Sequence, residues 1–312
     1  MNLFLAIQSF EKHTSNEGWQ FQLSMESAGY KLIYANVHGN DIQDILLMYG
    51  NDIKNIIIQD PREWIGWSEL NVPSERFTNY RLLANHNARK LCIIKDAQHF
   101  SVQNREFGEE CGIDTWIHYY SKDIVTNLNP WLKSKKLIRT YHSVEASSIP
   151  LFKELGRLDR GLLSGAASSN YYPLRTRLFK SRINNVDCLK HPGYTATGTY
   201  TNQFLRTLNS YKVAICTASK YGYLLRKIIE ASCCGCRVIT NFSLSEVPPV
   251  IERNLTRVDD NIGKEAIESL VNVLCSTYDN EEQKEIAKQA IEFYRYEHIG
   301  QFVSNQIIKE NE

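Results

Sequence analysis

What this chain of 312 residues lacks narrows its function early. No apolar run approaches the ~20 residues that a membrane-spanning helix needs. The amino-terminal MNLFLAIQSFEKH has no basic flank and too short an apolar core for an export signal. It reads instead as the first strand of a sheet, in a cytoplasmic protein. Excess charge is missing as well: 36 Lys and Arg face 35 Asp and Glu, a net of +1. Bulk electrostatics therefore do not favour nucleic acid, though a local basic groove stays open. No internal repeat or low-complexity segment occurs. A Gly-x-Gly-x-x-Gly after the first strand is absent, with Gln8-Ser9-Phe10-Glu11-Lys12 in its place, which argues against an NAD-type site. The eight cysteines include no second ligand pair at zinc-finger spacing. Cys92, Cys216 and Cys275 lie in apolar runs as small hydrophobes, which suits a reducing compartment. Cys233-Cys234-Gly235-Cys236 reads as a helix end and a strand start. No Asp-x-Asp occurs anywhere.

What is present is an alternation. Apolar residues make up 43% of the chain, enough for the cores of two domains. Leu3–Ile7, Lys31–Val37, Asn55–Gln59, Leu91–Lys95, Thr115–Tyr120 and Leu137–Tyr141 read as buried strands. Between them, residues 18–28, 42–49, 76–87, 102–111 and 122–132 carry helical spacing. This pattern predicts a parallel sheet covered on both faces. Regularity lapses between Ser143 and Arg160, around Pro150, where we place the link to a second domain.

In that second half, the stretch Val213–Asn241 organises the rest. VAICTA is a strand, Ser219-Lys220-Tyr221-Gly222 a polar break, Leu224–Cys234 a helix, and CRVIT a further strand. Gly235 stands where a helix takes a left-handed closing residue. A helix that starts near Gly222, past a strand's carboxyl end, offers free N–H groups and a positive dipole end to an anion. Arg226 and Lys227 add cations one turn in, and Glu230 shares their face. Such a set suits a nucleotide diphosphate, cations for the phosphates and a carboxylate for ribose hydroxyls. It is equally the make-up of a surface salt-bridge face.

Lys227-x-x-Glu230-Ala231, followed by Cys234-Gly235 and a strand, resembles the donor-site helix of GT-B glycosyltransferases, in particular the group 1 and spore-coat-type families. The resemblance implies an α/β fold of two Rossmann-like domains facing a cleft. Domain 1–148 would hold the acceptor and domain 149–296 the nucleotide sugar, with 297–312 crossing back to the first. It implies that Glu230 holds the donor ribose and that the basic residue, Lys227 or its neighbour Arg226, holds the diphosphate. The strand running into Gly165-Ala166-Ala167-Ser168, then Tyr172-Pro173-Leu174-Arg175, resembles the opening of the second domain in the spore-coat-type enzymes. That loop, with Gly165, Ser168 and Arg175, would touch the donor phosphates, and Tyr221 and Gly222 would complete the donor site. A tight turn with solvated arginines is the plainer reading. The metal-binding Asp-x-Asp of GT-A enzymes is missing here, so arginines, a lysine and a helix dipole would neutralise the leaving diphosphate without metal or cofactor.

Two strands end in aspartates, at Asp60 and at Asp96, the second with His99 three residues on. Either could take a proton from an acceptor hydroxyl, or simply cap a helix or form a turn. Strand counting against the β-glucosyltransferase of T-even phages, a GT-B enzyme, selects Asp96 as base with His99 as helper. His142 reads as a solvated loop residue or a further catalytic candidate, and Trp64 and Trp67 as packing anchors or an acceptor platform. The expected function is metal-independent transfer of a sugar, from a uridine diphosphate donor, to a hydroxyl acceptor on a glycan, a surface molecule or a metabolite. Transfer to a hydroxylated base in phage DNA, or ligand binding without chemistry, are the alternatives. Inverting and retaining chemistry both remain open.

Overall fold

A computed structural model of the protein describes residues 1–6, 17–35, 39–61, 74–191, 199–242 and 247–309, with the side chains of 51, 74–78 and 199–201 left aside. Trp64 and Trp67 lie outside these residues. Two compact units emerge: Met1–Phe10, Gly18–Tyr141 and Tyr296–Glu312 form one, and Glu11–Glu17 with His142–Arg295 the other.

The first unit is built on six parallel strands: β1 (Asn2–Ala6), β2 (Tyr30–Tyr34), β3 (Asn55–Ile58), β4 (Arg89–Ile94), β5 (Thr115–His118) and β6 (Lys136–Arg139). Their order is β2-β1-β3-β4-β5-β6. Successive strand residues point to opposite faces, yet Ile56, Ile57 and Ile58 are all fully buried. Both faces of the sheet are therefore covered, as continuous apolar strands require. The connecting helices are α1 (Glu17–Ser27), α2 (Ile42–Tyr49), α3 (Ser101–Glu110) and α4 (Lys122–Leu128). Two predicted helices differ from expectation. Residues Ser74–Asn85 form a 3₁₀ rather than an α-helix. The helix expected to reach Leu132 stops at Leu128, and Pro130 starts a separate 3₁₀ turn because it cannot donate back into α4.

The second unit carries β7 (Leu158–Gly165), β8 (Val186–Lys190), β9 (Tyr211–Ile215), β10 (Arg237–Thr240) and β11 (Leu255–Arg257), all parallel, in the order β11-β10-β9-β7-β8. Its helices are α5 (Pro173–Lys180), α6 (Thr199–Leu208), α7 (Arg226–Cys233), α8 (Pro249–Glu252), α9 (Lys264–Ser276) and α10 (Asn280–Tyr294). The sequence pattern does not announce α8 and β11, which are only four and three residues long. Leu163, Val213, Ile215 and Ile239 of the sheet pack against Leu174 and Leu178 of α5 and Ile267 and Val271 of α9.

The last helix, α11 (Tyr296–Lys309), belongs to the first unit. Its Gln306 both donates to the Arg139 carbonyl and accepts the Arg139 N–H, standing in for a further strand at the edge of β6. Gly300 lies so close to α1 that a Cβ there would stand 1.8 Å from the Ser24 carbonyl oxygen.

Candidate functional site

Both sheets are doubly wound: β1 and β3 are neighbours in one, β7 and β9 in the other. The chain leaves such a pair in opposite directions, and the carboxyl ends of the two strands open a crevice where ligands bind in this class of sheet. In the second unit β7 ends at Gly165 and β9 runs into Thr217. The predicted cations converge there.

Arg175 sits in the first turn of α5, which starts with Pro173 and whose N–H of Tyr172 donates to the Ser168 carbonyl. The Arg175 side chain is 2% exposed. Its Nε donates to the Thr217 hydroxyl at 3.0 Å, Nη2 to the Thr217 carbonyl at 2.9 Å and Nη1 to the Ala166 carbonyl at 3.3 Å. The Tyr172 ring lies 3.9 Å below its guanidinium. From the other side comes Lys227, whose ammonium donates to the Ser164 hydroxyl at 3.4 Å and lies 5.4 Å from the Phe204 ring. Gly165, at φ +123°, lets them meet: a Cβ there would stand 2.6 Å from Lys227 Nζ and 2.7 Å from Arg175 Nη1. No other residue fits this backbone and this space.

Among the described residues, neither cation has a carboxylate within ion-pair distance. Burial and then the charge of Arg175 pull the Lys227 ammonium down to about 8, and burial also pulls Arg175 below its ordinary value. Lys227 is the second residue of α7, whose first turn no side chain caps, so the helix dipole adds a third positive contribution. Three like contributions at one point are unfavourable when the point is empty. They are what a bound anion needs.

The helix does not begin at Gly222. That residue takes φ +69° in a turn, with its N–H on the Ser219 carbonyl, and Tyr223 and Leu224 run on as a buried segment. Helical bonding starts at Arg226, so the two cations occupy the first turn itself. Arg226 forms an ion pair with Glu230 at 2.9 Å. The partners are side chains 10% and 8% exposed. The salt bridge weighed from the sequence thus forms, but in the interior rather than on a solvated face. Tyr221 stacks on Tyr223 at 5.5 Å, and Lys220 stands 5.1 Å over the Tyr221 ring. Thr217, which fixes Arg175, carries no sequence signal beyond its place past a strand end. Gly235 closes α7 at φ +75°, and Cys233, Cys234 and Cys236 are buried free thiols. Among the described residues no three His, Cys, Asp or Glu side chains gather as a metal site.

In the first unit, the carboxyl ends of β3, β4 and β5 bring other candidates together. Asp60 is 1% exposed and accepts the Lys95 N–H at 2.8 Å. Asp96 is half-buried, and the Tyr120 hydroxyl donates to it at 3.4 Å. The His99 N–H donates to the Asp96 carbonyl at 3.0 Å. His118, 3% exposed at the end of β5, contacts the Tyr120 carbonyl through Nδ1 at 2.6 Å. A carbonyl can only accept, so Nδ1 carries the proton. Burial pushes His118 down to about 4, and Arg139 adds to the effect. His142 is not the solvated loop residue its polar turn suggests: it is 4% exposed and pairs with Glu17 within the second unit. No helix among the described residues is long and apolar enough to cross a membrane.

No family model matches this chain, and no curated protein matches it. Solved structures do. Sucrose-phosphate synthase from Thermosynechococcus elongatus superposes at a TM-score of 0.61 with 11% identity, over 99% of this chain and 98% of that one. A glycosyltransferase from Rickettsia africae ESF-5 gives 0.54 and 11%, over 99% and 97%. Anabaena HepE, solved in complex with UDP and glucose, gives 0.51 and 10%, over 99% and 98%. Two parallel α/β sheets of this order and these likenesses give the chain the GT-B fold of the glycosyltransferases.

Proposed function

We propose that the protein is a glycosyltransferase that moves a sugar from a nucleotide diphosphate donor to a hydroxyl acceptor. The observation that carries this reading is the pair Lys227 and Arg175, converging on Gly165 at the β7/β9 switch point with, among the described residues, no carboxylate within ion-pair distance of either. A diphosphate is the ligand such a point repays, and Anabaena HepE is a fold neighbour that binds UDP and glucose. The donor is accordingly a uridine diphosphate sugar, with the ribose at Glu230 as the Lys227-x-x-Glu230-Ala231 resemblance to spore-coat-type enzymes suggests. The acceptor is a glycan, surface molecule or metabolite hydroxyl held by the first unit.

For inversion, Asp96 takes the proton of the acceptor hydroxyl while that oxygen bonds the anomeric carbon. The anomeric carbon–oxygen bond to the diphosphate breaks, and the diphosphate leaves with the electron pair. Lys227, Arg175 and the start of α7 stabilise its charge.

Thermal shift tests the donor site. Ligand at a hundred times its dissociation constant adds about 2.7 kcal/mol. UDP, UDP-glucose, UDP-N-acetylglucosamine or UDP-glucuronate should raise the wild-type melting point by several degrees and leave Lys227→Met unmoved. Glu230→Ala is a poorer probe, since it also strands Arg226. No response to any nucleotide, GDP and GDP-mannose included, favours ligand binding without glycosyl transfer and sinks the proposal.

A further inference from the structure

We infer that Tyr120 is a positioning residue for Asp96, and that Asp60 serves the same loop as an anchor rather than as a second base. The inference rests on the reading of Asp96 as the proton acceptor. The loop Lys95–Phe100 that carries it is tied down along its length by groups from other elements. At its start, buried Asp60 accepts the Lys95 N–H at 2.8 Å. In its middle, fully buried Asn129 donates to the Ala97 carbonyl at 2.6 Å. At its end, Asn104 of α3 donates to the His99 carbonyl at 3.5 Å. The turn closes on itself through the His99 N–H and the Asp96 carbonyl at 3.0 Å.

The exit from this loop is strained. Phe100 holds φ +53°, a left-handed backbone that an aromatic residue adopts only when its surroundings over-determine it. Ordinary turns need none of this. A carboxylate that must meet an acceptor oxygen at a defined angle does.

Tyr120 differs from these ties in reaching the Asp96 side chain itself, its hydroxyl 3.4 Å from the carboxylate. Only 4% exposed, it is itself held at its carbonyl by the His118 ring, so its hydroxyl approaches Asp96 from a fixed base. Asp60, by contrast, spends a carboxylate oxygen on a backbone N–H and is sealed from solvent. Asp96, half-buried, is the more exposed acid of the pair.

Amide hydrogen exchange on the full chain, wild type against Tyr120→Phe, reads the effect without any substrate. The variant removes one oxygen and keeps the ring. Exchange at the His99 amide should rise at least tenfold, with amides of β4 and β5 unchanged. Exchange that stays at the wild-type rate, or rises equally along both strands, overturns the inference, the second because it marks plain core packing. UDP release from UDP-glucose, with water as acceptor, gives the catalytic counterpart: kcat should fall about tenfold in Tyr120→Phe with the donor KM unchanged, and an equal kcat overturns it. Asp96→Asn tests the underlying reading separately. Wild-type UDP release there sinks Asp96 as the base, whatever the exchange rates show.

Discussion

Lys227 and Arg175 face each other across the α-carbon of Gly165, both within 2.7 Å of one point. In the unliganded protein this is a frustrated arrangement. Lys227→Met should therefore leave the fold as stable as wild type or more so near pH 7, while abolishing stabilisation by UDP. The pH dependence follows from the depressed ammonium. Between about 8 and its ordinary value of 10.5, the unfolded chain holds a proton that the folded one has released. The penalty is present below pH 8 and is relieved as pH rises through that window. Denaturation of wild type and variant from pH 7 to 10.5 should show the two curves converging, and UDP affinity of the wild type falling, as pH rises.

Arg226 and Glu230 behave in the opposite way, since their pair is buried and complementary. Removing one partner leaves a charge stranded in the interior, and such losses run to about 3–5 kcal/mol. Arg226→Met should lower the urea midpoint strongly, and Arg226→Met combined with Glu230→Leu should recover much of the loss. If the single variant unfolds like wild type, the pair is solvated and the assignment of Arg226 as structural fails.

His118 sets an acid limit. It is held neutral down to about pH 4, whereas its unfolded counterpart takes up a proton near 6.5. Stability should fall as pH drops from 6.5 to 4. His118→Asn, whose amide can also donate to the Tyr120 carbonyl, should flatten that part of the curve. Nitrogen chemical shifts of the ring at pH 7 should report the Nδ1–H tautomer.

Gly300→Ala should cost more than the helix propensity it gains, which is about 1 kcal/mol. The new methyl would stand 1.8 Å from a backbone oxygen of α1, and backbone cannot step aside as a side chain can. Overpacking of this kind costs about 1–3 kcal/mol, and α11 must shift on the first unit. Thermal denaturation and exchange at α11 amides check both effects.

Seven of the eight cysteines are buried and Cys188 is exposed. Burial pushes Cys236 up to about 12 and Cys275 up to about 11. A thiol reagent at neutral pH should label one site quickly in the native protein and all eight after denaturation. A second fast thiol in the 233–236 cluster would show that α7 opens readily.

Much of the architecture could be read from the residues alone. Continuous apolar runs such as NIII and LCII can only be parallel strands buried on both faces, and Pro173 and Gly235 mark where helices start and stop. Local chemistry also singled out Arg175, Lys227 and Glu230, because cations past a strand end are seldom without purpose. Pairing was a different matter. Arg226 and Lys227 are neighbours of equal charge: the i,i+4 spacing lets Arg226 reach Glu230 along α7, but only the packing of α7 in the second unit buries that pair and brings Lys227 to Gly165. The same holds for Asp60 and Asp96, two strand-end aspartates alike in sequence: sheet order buries the first against the Lys95 amide and leaves the second in reach of Tyr120. Spacing along a chain records which side chains share a face, whereas burial and partner depend on elements that arrive from far along it.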